Sequence, residues 1–131
     1  MLYEFDEADA ELSLLPMASR RALDAAGIKL SLQSYQTLAL AERRELLRLG
    51  GAARVDVSAV AALLAAANAP SATVYREPLE LPEALVRELG LDAATWQRLS
   101  PLDRYVLDKL QQRGRSERLQ RAFAEISGRH E

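Results

Sequence analysis

Arg43 and Arg104 are the residues of this chain best suited to chemistry, because each follows an aromatic ring, Tyr35 and Trp96, at the same spacing. Two guanidinium groups near two rings could bind an anion, or could line a small-molecule pocket between two halves of the chain. The same spacing suits a plainer role, in which the arginine stem covers an apolar stripe and its head pairs with a neighbouring helix end. Other catalytic devices lack parts. The absence of cysteine excludes a disulfide framework, thiolate metal ligation and a cysteine nucleophile. The single histidine, His130, is the penultimate residue, so a Ser-His-Asp device would have to draw on the chain terminus. One histidine among scattered acids makes no metal cluster, and Gly50-Gly51 lacks the lysine and further glycine of a phosphate cradle. The expectation is a protein that is not an enzyme and carries no cofactor and no metal.

The 131 residues are 49% hydrophobic and 27% charged, which is enough apolar material for one domain with a real core. No apolar run approaches the roughly 20 residues of a membrane span, and the N-terminus is acidic where a signal peptide would be basic. A cytoplasmic protein is expected. Charge is uneven along the chain. Glu4, Asp6, Glu7, Asp9 and Glu11 stand together, whereas Lys109, Arg113, Arg115, Arg118 and Arg121 face Glu117 alone. The basic run could meet phosphates or an acidic protein surface. The net charge of -2 and the lack of aromatic residues among the arginines argue against nucleic acid. A solvated helix face is the plainer reading, as is pairing with the acidic arm inside one molecule or across a homodimer.

Helical periodicity dominates the elements that must position these groups. Pro16 can open a helix that Gly27 closes, with Ala18, Ala22 and Ala26 as a small-residue face. Ile28 to Leu32 alternates and predicts a short extended connector. Helices follow over 33–38 and 41–49, the second stopped by Gly50-Gly51. Ser58 can cap an alanine-rich helix through Ala69, and the prolines after it predict a loop over 70–81. Pro82 to Gly90 is the next helix. Asp92 can cap another through Leu99, Ser100-Pro101 can start one to Arg113, and Ser116 begins the last, where Leu119, Ala122, Phe123 and Ile126 share a face.

The chain also repeats itself. Tyr35 to Arg43 set over Trp96 to Arg104, an offset of 61 residues, aligns the aromatic residue, Gln36 with Gln97, Leu38 with Leu99, Glu42 with Asp103 and the arginine. Leu23 to Ile28 matches Val86 to Leu91 at an offset of 63. The expected fold class is all-α: one domain, 1–131, of two related helix-Gly-turn-helix-helix units, 16–49 and 82–113. Between them lie the alanine-rich helix and loop, 57–81, and a C-terminal helix, 116–127, follows. Two such units would pack face to face about a pseudo-twofold to bury their stripes.

The run from Pro16 to Leu32 resembles the signature of the nitrate-reductase-associated protein family, through Pro16, Met17, Arg20, Leu23, Asp24, Gly27, Ile28, Lys29, Leu30 and Leu32. Tyr35 stands where the family tends to have tryptophan, and the stretch Trp96 to Tyr105 is similar to a second family motif. The family pattern has a cysteine before the glycine and another after the third helix. This chain has Ala26 and Gly51 there, so the resemblance implies no thiol role. It implies a non-catalytic accessory protein of nitrate assimilation that binds a molybdenum-containing nitrate reductase and supports its maturation or stability. The alternatives are a helical repeat module for an unrelated protein partner or a homodimer, and a small-molecule-binding protein. Core demands account for Leu23, Ile28, Leu30, Leu32 and the cap Gly27 of the signature. Arg20, Asp24 and Lys29 are left over, and they are the expected partner-binding residues; the competing explanation is a local Arg20–Asp24 pair one turn apart.

Overall fold

A computed structural model describes residues 2–6, 9, 11–65, 74–78 and 80–129. Among them are a 3-10 turn, Glu4–Asp6, and eight α-helices: α1 (Met17–Ala26), α2 (Leu32–Gln36), α3 (Leu40–Gly51), α4 (Val57–Leu63), α5 (Glu83–Leu89), α6 (Ala93–Arg98), α7 (Pro101–Gln112) and α8 (Ser116–Arg129). No strand occurs among the described residues, so the all-helical expectation holds. The chain divides into two compact units, Met1–Arg76 and Glu77–Glu131.

Local signals set most helix ends. Gly27 and Gly90 take φ of 68° and 65°, the left-handed conformation in which a Cβ is penalised, and they stop α1 and α5 as predicted. Asp92 Oδ1 accepts the Thr95 amide at 2.7 Å and Ser100 Oγ accepts the Asp103 amide at 3.1 Å, which fixes the starts of α6 and α7. Four expectations need correction. Pro16 and Pro82 have extended ψ and precede their helices instead of opening them. The α4 cap is Asp56, whose Oδ1 accepts the Ala59 amide, because an ionised carboxylate suits the positive helix end better than the Ser58 hydroxyl. That helix closes at Leu63, and the rest of the predicted stretch from residue 66 lies outside the described residues. Gly50 and Gly51 do not stop α3; both are inside it.

In the first unit, α1 and α3 make the most extensive helix contact. Its closeness depends on Gly50, where a Cβ would lie 1.6 Å from the Ala18 carbonyl oxygen and 3.3 Å from the Ala22 Cβ. Around this crossing Leu23, Ile28, Tyr35, Leu38, Leu46, Leu49, Val60 and Leu64 form a buried core. Asp6 closes the other end of α1. Its Oδ1 accepts the Met17 amide and its Oδ2 the Tyr3 amide, both at 3.1 Å, which tethers the acidic arm to a helix start.

The second unit is built on α7 and α8. Gly114, with φ of 67°, and the Arg115 amide, bonded to the Leu110 carbonyl at 3.0 Å, reverse the chain between them. Arg129 pairs with Asp103 at 3.4 Å, tying the end of α8 to the start of α7, so the helices run antiparallel. Leu119, Ala122 and Ile126 form the buried face of α8. Shifted by 61 residues, α2 and α3 fall on 93–97 and 101–112, against Ala93–Arg98 and Pro101–Gln112 for α6 and α7.

Candidate functional site

The two arginines that invite an anion-binding role spend their donors on the chain itself. Arg43 donates from Nε to the Leu38 carbonyl at 3.2 Å, from Nη1 to Glu11 at 2.5 Å and from Nη2 to Gln36 at 3.0 Å. Arg104 donates from Nε to the Trp96 carbonyl, from Nη2 to the Gln97 carbonyl and from Nη1 to the Glu77 carboxylate, each at 2.9 Å. Each guanidinium carbon sits 5.8 Å from its ring, Tyr35 or Trp96, and both rings are buried. Carbonyls at the end of a short helix have no partner within it, and an arginine fork reaches two at once. These groups therefore act as staples between a short helix and the helix after it, the plainer of the two roles open from sequence. Burial raises the Tyr35 phenol above its usual range, against the pull of the Arg43 charge. Its Oη has no hydrogen-bond partner among the described residues.

Arg43 also holds the N-terminal arm. Its Glu11 contact lies in a turn where Leu12 adopts φ of 52° with its side chain buried. Asp9 accepts both the Ser13 hydroxyl and the Ser13 amide, which holds its carboxyl below the usual range, and Gln36 Nε2 donates to the Ser13 carbonyl at 3.0 Å.

The family-like run is mostly architecture. Pro16, Met17, Leu23 and Ile28 are buried, Gly27 is the helix stop, and Leu30 packs half-buried against the core. Leu32, expected in the core, is instead exposed, because it is the first residue of the short α2, whose buried residue is Tyr35. Arg20 and Asp24 are half-buried and engaged in contacts of their own. The Asp24 carbonyl accepts the amides of Gly27 at 3.2 Å and Tyr75 at 2.9 Å, so this turn receives a returning strap. Of the three expected partner-binding residues, Lys29 is the exposed one. Sequence reasoning missed Arg21, which donates to the carbonyls of Gly50, Ala52 and Ala53 and closes the end of α3. The nearest signal was an arginine pair in a helix together with a glycine pair that ends another.

A concave site lies in the second unit between α6 and α8. It encloses about 130 Å³ and is lined by Thr95, Arg98, Leu99, Phe123, Ile126 and Ser127. Leu99 and Ile126 are buried and make its floor, Phe123 is half-buried, and Arg98 is exposed at the rim. Arg98 Nη2 donates to Thr95 Oγ1 at 3.3 Å. Sequence reading placed Phe123 and Ile126 on one helix face without anticipating a hollow beside them. Among the described residues no group of three or more acidic or histidine side chains is arranged to hold a metal. No helix among them is long and apolar enough to cross a membrane.

The regular structure of the described residues is all helical, and Arg43 and Arg104 are engaged by the chain's own carbonyls and Glu77. The sequence model of the conserved nitrate reductase-associated protein family matches residues 2–126, and the chain belongs to that family. No curated protein and no solved structure matches it.

Proposed function

We propose that this chain is a non-catalytic, cytoplasmic accessory protein of nitrate assimilation that binds a molybdenum-containing nitrate reductase and supports its maturation or stability. Family membership over residues 2–126 carries the reading. The arginines support it, since the groups best suited to hold a small anion are committed to carbonyls and to Glu77. We also read the chain as a duplicated unit, 16–49 and 82–113. Coincident helix ranges support this, as do caps at Ser31 and Asp92 and arginine staples at Arg43 and Arg104, all at one offset. Lys29 is the charge of the docking edge, while Arg20 and Asp24 shape the turn that presents it.

The test is direct binding of the purified reductase to the immobilised chain, with the thermal inactivation half-life of the reductase measured in parallel. Saturable binding and a longer half-life are expected. Lys29→Glu should weaken binding by about threefold to tenfold at low salt, where rim charges are least screened, with an unchanged melting temperature. Absent binding with an unaltered half-life overturns the reading.

A further inference from the structure

The cleft between α6 and α8 has no task in the fold just described, and its dimensions limit what it can take. A cavity of roughly 150 Å³ holds a benzene ring, whereas pockets for cofactors and larger ligands run from about 300 Å³ upward. At about 130 Å³ this one fits a single leucine- or phenylalanine-sized group. Its floor of Leu99 and Ile126, with Phe123 beside them, is apolar, and its rim carries Thr95, Ser127 and the cation Arg98. Arg98 has five N–H donors, and among the described residues it makes one hydrogen bond, to a hydroxyl, and no ion pair. Asp92, the acid that feels its charge, is occupied by the Thr95 hydroxyl and amide.

We propose that this cleft seats an anchor side chain of a protein partner, an aliphatic or aromatic residue next to an aspartate or glutamate whose carboxylate pairs with Arg98. The inference rests on the reading that the partner is a protein, and it adds a point of contact in the second unit. One deeply seated apolar group with a charge-assisted bond at its edge is the form that interface anchors take. The size of the site favours a side chain over a free metabolite.

The probe is 4-methylpentanoate, which joins a leucine-like isobutyl group to a carboxylate. Titrated into the isotope-labelled full chain, it should shift the amides of Leu99, Phe123 and Ile126 at millimolar concentration. The uncharged 4-methylpentanamide and tail-less acetate should bind more weakly, and Arg98→Gln should weaken the carboxylate by about tenfold, as loss of a charged hydrogen-bond partner does. Ser127→Phe, which fills the cleft from a half-buried position on its wall, should abolish those shifts and weaken reductase binding at least tenfold while helix content and melting temperature hold. The inference falls if the probe leaves these amides unmoved, or if Ser127→Phe binds the reductase like the parent chain. A parent chain that never binds the reductase overturns the nitrate reductase reading instead. The cleft then stands if the probe shifts it in the parent and not in Ser127→Phe.

Discussion

Tyr35 is a buried phenol that makes no hydrogen bond among the described residues, and its hydroxyl costs more than it returns. Tyr35→Phe should leave stability near neutral pH unchanged or slightly raised. The alkaline side differs, because burial holds the folded phenol above its unfolded value of about 10. Stability from keeping this group neutral is complete below that pH and is lost as pH rises through the folded value. The phenylalanine variant should therefore lose less stability than the parent above pH 10 or so, as read by urea denaturation across the pH range. Arg43 shows the opposite balance. Arg43→Lys keeps the charge but cannot reproduce a fork that reaches Leu38, Glu11 and Gln36 together, and it should cost about 1–3 kcal/mol in the same denaturation assay.

Among the helices, two glycines make different demands. Gly50→Ala sets a methyl against the Ala18 carbonyl oxygen, so α1 and α3 must separate, and a loss of about 3 kcal/mol or more is expected. Gly90→Ala meets nothing within 4 Å, and its cost is the positive φ alone, about 1–2 kcal/mol. Thermal melts of the pair separate close approach from backbone conformation, and equal losses would contradict this assignment. The contrast also explains what could be read in advance. Gly27, Gly90, Asp92 and Ser100 act within four or five residues of themselves, so their roles are legible in order along the chain. Gly50 against Ala18, and Arg21 against Ala52 and Ala53, join residues about thirty apart, where only packing decides. The cleft beside Phe123 was hidden for the same reason. A helical pattern says which face turns inward, not whether the neighbouring helix fills the space beside it.

For the molecule as a whole, a net charge of -2 spread over both signs gives little long-range field. On the proposed reading, binding to a reductase should then depend on local groups such as Lys29 and Arg98. Raising salt from about 0.05 to 0.5 M should lower the association rate constant by less than about tenfold in stopped-flow mixing. The Asp6 cap on α1 bears on how such a chain comes into being on a ribosome. Asp6 is made before Met17, and a loop of this length closes in well under a microsecond, so the start of α1 can be held as soon as it emerges. Gly50 arrives a second or more later at roughly 5–20 residues per second. During that interval the face awaiting α3 carries Ala18 and Ala22, whose methyl groups offer a neighbouring nascent chain far less to adhere to than leucines would. The small residues that later allow a tight crossing thus also protect the helix while it waits.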